Sequence, residues 1–117
     1  STLAEVGHKN DKKLEINLKN SELIETLNHL NWDKPWSAGG QFSTYCVYTS
    51  TQNLNFEDTL FNFVSKIADK DTGSYYLNYP NSNREVINGA MKVISGLNWI
   101  NKEIHYPEKL IDFCIDF

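Results

Sequence analysis

Three stretches carry residue types that could do chemistry. The first is Trp32-Asp33-Lys34-Pro35-Trp36-Ser37-Ala38-Gly39-Gly40-Gln41. Two tryptophans beside a glycine pair at a helix start can frame a pocket, because indole faces bind sugars and apolar ligands and free helix amides bind anions. The plainer reading is that the tryptophans wedge two helices apart. The second stretch is Asp69-Lys70-Asp71-Thr72-Gly73-Ser74-Tyr75-Tyr76. Carboxylates two apart could act as acid and base or hold a hard cation. No EF-hand spacing or third ligand follows, so a solvated turn closed by an Asx bond is the simpler expectation. The third feature is the histidines. His29 and His105 each sit alone near a loop, and no GxSxG, HExxH or phosphate-loop motif accompanies them. Surface or core roles are expected for both.

These residues must be positioned by helices. Asn83 to Ile100 has the longest helical spacing in the chain. Val86, Ile87, Ala90, Met91, Val93, Ile94, Leu97 and Ile100 recur at three- and four-residue steps, a stripe wide enough to be packed on two sides. Ser82 with Glu85 reads as a capping box. Asn88-Gly89 would ordinarily mark a turn, yet the periodicity runs through it. The spacing predicts an unbroken helix in which something approaches Gly89 closely, either the Trp32–Trp36 loop or the Gly39–Gly40 helix start. A short helix is expected over 21–31, capped by Ser21 or Asn20, then a loop over 31–36 where Pro35 removes a donor. Residues 37–51 favour strand by propensity through Thr44, Tyr45, Val47, Tyr48 and Thr49. Ala38, Phe42, Tyr45, Cys46 and Thr49 nevertheless share one helical face, and Ala38, Gly39, Gly40 and Ser43 permit close packing, so a helix is expected. Another covers 55–69 behind an Asn55/Asp58 cap, and Pro107 opens the last at its favoured first position. Residues 1–20 are polar. The alternation of Leu14, Ile16 and Leu18 has no partner strand, so this segment reads as an extended arm.

Composition narrows the function classes. The chain has 117 residues, 40% hydrophobic and 13% aromatic, which is enough for one small core. A net charge of −4 with scattered lysines argues against nucleic acid. No apolar run reaches the roughly 20 residues that span a bilayer. A cytoplasmic location is the expectation, with a secretory leader already removed as the alternative. Cys46 and Cys114 lie in apolar stretches and read as free buried thiols. No spacing suggests a metal, and no cofactor is expected.

Pro35-Trp-Ser-Ala-Gly-Gly-Gln41, Asp71-Thr-Gly-Ser-Tyr-Tyr76 and Ile87-Asn-Gly-Ala-Met-Lys92 together resemble α/α-toroid proteins, the terpenoid-cyclase-like and six-hairpin carbohydrate-active groups. The resemblance covers roughly residues 30–115. It implies that loops of the form Asp-x-x-Thr-Gly, each followed by an aromatic, join successive helices, and that the Asn-Gly-Ala-x-Lys helix lines an inner wall. The turn here is shorter than the family's commonest form. The DxDD motif of protonating cyclases and the zinc ligands of prenyltransferases are absent, so no catalytic residue carries over.

The expected fold is therefore all-α, with stacked antiparallel helical hairpins forming part of a toroid. A 1–20 arm would precede a 21–117 hairpin domain. A closed toroid needs about five to seven hairpins and this chain supplies two to three, so self-association or membership of a longer chain is expected. The candidate cleft comprises Trp32, Asp33, Trp36, Gln41, Asp71, Tyr75, Asn88 and Lys92, with a small molecule or carbohydrate as ligand. The functional expectation is a ligand-binding or scaffold unit. A fragment of a carbohydrate-active or cyclase-like enzyme is the alternative, and catalysis is left open.

Overall fold

The computed structural model describes residues 19–116, and the expected 1–20 arm therefore lies almost wholly outside the described residues. The described part is helical throughout: α1 (Asn20–His29), α2 (Pro35–Gln52), α3 (Glu57–Ile67), α4 (Asn83–Trp99) and α5 (Pro107–Asp116). Its one piece of β-pairing is an isolated Ala68–Tyr75 bridge in the α3–α4 connection.

The α2–α4 pair is the main packing unit. α2 forms although five of its residues prefer strands, because tertiary burial outweighs local propensity. Ala38, Gly39, Phe42, Cys46 and Thr49 are buried at helical spacing, and Asn53 ends the helix in a left-handed conformation with φ 54°. α4 runs unbroken through Gly89, as the periodicity predicts. A Cβ at Gly89 would lie 2.5 Å from Pro35 Cβ and 2.9 Å from the Pro35 carbonyl carbon. One at Gly39 would lie 3.0 Å from the Gly89 carbonyl oxygen, and one at Gly96 would lie 2.9 Å from Ser43 Cα. The contacts advance in the same direction along both helices, so α2 and α4 run parallel. Small residues let the two backbones touch.

α3 closes the other side of α2. Leu60, Phe63 and Val64 join Leu23 and Leu27 of α1, Phe42 and Cys46 of α2, and Val93 and Leu97 of α4 in a single core. Trp32 fills the middle of it. Its indole N–H donates to the Leu27 carbonyl at 2.9 Å, and its ring meets Phe42 and Phe63 at centroid distances of 6.4 and 5.7 Å.

Several local expectations are corrected. The 31–36 loop is shorter than its composition suggests, since Pro35 occupies the first turn of α2. α1 starts at Asn20, and it is the backbone N–H of Lys19 that meets Glu22, at 3.0 Å. Ser82 caps α4 by accepting from Glu85 N–H at 3.2 Å, but the Glu85 carboxylate turns away to α2. Asn55 and Asp58 form no cap. Asn55 is left-handed at φ 64°, and Asp58 pairs with Lys102 at 2.8 Å. Met91 is 45% exposed, so the second face of α4 is only partly covered. Cys46 is buried and its thiol is pushed up to about 12 by burial, which makes it inert, whereas Cys114 is exposed on α5.

The turn after α3 is also tighter and drier than expected. Burial would raise the Asp69 carboxyl, but it accepts from Thr72 N–H at 2.9 Å, Thr72 Oγ1 at 2.9 Å and Tyr76 Oη at 3.0 Å, and these bonds hold it below the usual carboxylate range. The Asx bond therefore comes from Asp69, and Thr72 and Ser74 are buried rather than solvated. Ser74 Oγ donates to the Val86 carbonyl at 2.7 Å and fastens this turn to α4.

Candidate ligand groove

Close contact between two parallel helices leaves a groove along the edge of their seam. It is about 490 Å³ in volume and is lined by Lys34, Trp36, Ser37, Gly40, Gln41 and Thr44 from the α2 side, and by Glu85 and Lys92 from α4. Ser37, Gly40, Gln41 and Thr44 share one helical face by their spacing. Glu85 and Lys92 lie two turns apart on α4. The Pro35–Gly89 contact fixes the depth of the seam at this end. Beside it, the Glu85 carboxylate accepts the Trp36 N–H at 3.0 Å, so a free amide of α2 is capped from the neighbouring helix. That bond orients the first turn of α2, and Trp36 is 44% exposed at the groove.

The electrostatics are locally reversed. The protein is acidic overall, but the groove holds two ammonium groups against one carboxylate, and that carboxylate is already hydrogen-bonded. Among the described residues, neither Lys34 nor Lys92 has a carboxylate within ion-pair distance. The available chemistry is one aromatic face, an amide at Gln41, a hydroxyl at Ser37, the acceptor side of the Thr44 hydroxyl, which donates to the Gly40 carbonyl at 3.1 Å, and two cations.

Of the eight residues expected in a cleft, Trp36, Gln41 and Lys92 line this groove. Trp32 and Tyr75 are buried core residues. Asp33 is exposed and accepts from Asn78 N–H and Nδ2 at 3.1 and 3.2 Å, tying the α1–α2 turn to the loop before α4. Asp71 is exposed on its turn, and Asn88 is half-buried on α4 outside the groove lining. Lys34, Ser37, Gly40, Thr44 and Glu85 were not among the expected cleft residues, although Lys34, Ser37 and Gly40 fall within the 32–41 stretch that carries the pocket expectation. Helical spacing from Ser37 to Thr44 is a signal that could have found most of them.

A second polar arrangement joins residues 30 and 40 positions apart. Ser65 Oγ lies 2.7 Å from His105 Nε2, and Tyr75 Oη lies 2.8 Å from His105 Nδ1. Its outline suggests a serine nucleophile with a histidine base, but the proton positions argue otherwise. Ser65 Oγ also lies 2.8 Å from the Phe61 carbonyl, an acceptor that requires the serine proton. Tyr75 Oη accepts the backbone N–H of His105 at 3.2 Å, and the assignment that gives every donor an acceptor has the phenol proton on the bond to Nδ1. Nε2–H then donates to Ser65. Every donor is satisfied, and the serine has no base. Ser65 also lies inside α3, where helix bonding occupies the surrounding amides and leaves no oxyanion hole. Burial lowers the His105 imidazole below its ordinary value. His29 is exposed and bonded through Nδ1 to the Glu25 carbonyl at 2.7 Å, on the surface of its own helix.

The class these features define is an all-α helical domain with an open inter-helix groove and, among the described residues, no helix able to cross a membrane and no cluster of three or more metal-ligating side chains. No protein-family model, curated protein or solved structure matches the chain.

Proposed function

We propose that the chain is a ligand-binding unit of α/α-toroid type, and that its Trp36 groove takes a carbohydrate bearing an acidic group. The observation that carries this reading is the exposed Trp36 on an open groove that two lysines, an amide and two hydroxyls also line. An indole face stacks on the apolar face of a sugar ring. Hydroxyls and the Gln41 amide suit sugar hydroxyls, and Lys34 and Lys92 suit a carboxylate or sulfate. The parallel packing of alternate helices α2 and α4 is the arrangement expected of neighbouring wall helices in a toroid. The exposed Ile111 and Ile115 of α5 support the further expectation of self-association or a longer chain.

The enzyme alternative has less support. Glycoside chemistry ordinarily uses two carboxyl groups across the scissile bond. The groove lining holds one, Glu85, and its position is used to cap α2. The test is calorimetric titration with uronic-acid and neutral oligosaccharides of matched length. The acidic series should bind and the neutral one should bind more weakly. Trp36→Ala should weaken binding by about tenfold or more, the range of an aromatic anchor worth over about 1.4 kcal/mol. Equal binding by wild type and variant, or no binding of either series, would remove the reading.

A further inference from the structure

α5 is weakly held. Leu110 is its buried residue, while Ile111 and Ile115 are 58% and 75% exposed. Two contacts fix its start to the body. At Gly73, with φ 82°, a Cβ would fall 2.7 Å from both the Tyr106 carbonyl oxygen and the Leu110 nitrogen, so the α3–α4 turn rests directly on the first turn of α5. The other contact is His105, stacked on Phe61 of α3 at 4.8 Å and 17°, and bonded to Tyr75 and Ser65.

We propose that the Tyr75–His105–Ser65 chain is an acid-released latch: neutral His105 holds residues 101–116 on α3 and on the 68–76 turn, and protonation lets that segment detach while the α2–α4 pair stays folded. The reason lies in the donors. Only the neutral ring with its proton on Nε2 serves Tyr75 and Ser65 together. A second proton, on Nδ1, would point at the Tyr75 oxygen. The phenol proton would then lose its acceptor, and Tyr75 is fully buried.

The groups around the ring do not offset this. From α3, Asp58 is engaged with Lys102, whose ammonium lies 5.3 Å from the centroid of the Phe61 ring. From the α3–α4 turn the facing group is Tyr75. Tyr106 lies beside the ring at 6.4 Å, and Glu108 and Lys109 share a shallow surface depression with it and bring opposite charges. Burial is the cause that lowers the imidazole. A base with a lowered folded value stabilises the fold fully above the unfolded value of about 6.5, and that stability falls as pH drops through and below it. The Asp69 carboxyl, held below its usual range, titrates at more acidic pH and lies outside this window.

The test is hydrogen–deuterium exchange of the full chain between about pH 7.5 and about pH 5, corrected for intrinsic exchange rates. Protection of 107–116 should fall by about tenfold or more at the lower pH while 83–99 stays protected, and His105→Gln should abolish the pH response of 107–116. The imidazole titration followed by NMR should have its midpoint below that of an unfolded peptide. Unchanged protection of 107–116, equal loss in both segments, the same response in His105→Gln, or a midpoint at or above the peptide's would each overturn the latch.

Discussion

Trp32→Ala is expected to lower the free energy of unfolding by about 3–5 kcal/mol, the range for deleting a buried aromatic side chain. Trp32 is 1% exposed and touches the core elements from three helices, with Leu27 on α1, Phe42 on α2 and Phe63 on α3 around it. The surrounding rings cannot collapse into the space without moving the helices that carry them. The Leu27 carbonyl also loses its indole donor, although it keeps Leu30 N–H at 3.2 Å. Trp32→Phe retains most of the volume and should cost substantially less. Urea unfolding followed by far-ultraviolet circular dichroism measures both, with the slope checked for constancy. A loss below about 1 kcal/mol for Trp32→Ala would mean that the tryptophan does not join the three helices.

Gly89→Ala should destabilise by about 1–3 kcal/mol, through overpacking. Helix propensity alone predicts the opposite sign, a gain approaching about 1 kcal/mol. Steric overlap decides the matter, because the added methyl meets the ring and the carbonyl carbon of Pro35, neither of which can rotate away. Gly40→Ala is the matched control. Its added methyl would meet only Lys92 Cδ, at 3.9 Å, so propensity should prevail and the variant should melt higher. Opposite shifts of the two melting midpoints are expected. A stabilised Gly89→Ala would place the α2–α4 seam farther apart than 2.5 Å contacts allow.

Much of this seam was legible in the sequence. An apolar stripe that ignores a glycine implies a helix that needs the glycine, and the partner fell within the expected Trp32–Trp36 segment, at Pro35. The identity of α2 was legible only through its small and apolar face, since Thr44, Val47 and Thr49 pull towards strand. Ser82 caps α4 as its position implies, but the two carboxylates expected in caps have competing partners far along the chain: Glu85 reaches Trp36, 49 residues away, and Asp58 reaches Lys102, 44 away. Local spacing carries no trace of such bonds. Trp32 and Trp36 look equivalent in sequence, yet the turn into α2 at Pro35 sends one to the core and leaves the other at the surface. The Tyr75–His105–Ser65 chain had no signal at all, because no motif links residues so widely separated.

The central functional claim is that the Trp36 groove is where a ligand sits. The most direct measurement is a two-dimensional ¹H–¹⁵N NMR titration of the labelled protein with an oligouronate. The indole resonance of Trp36 and the amides of Ser37, Gln41 and Lys92 should shift together and saturate, while the indoles of Trp32 and Trp99 stay in place. Shifts absent at Trp36, or centred on Trp99 or α5, would contradict the claim.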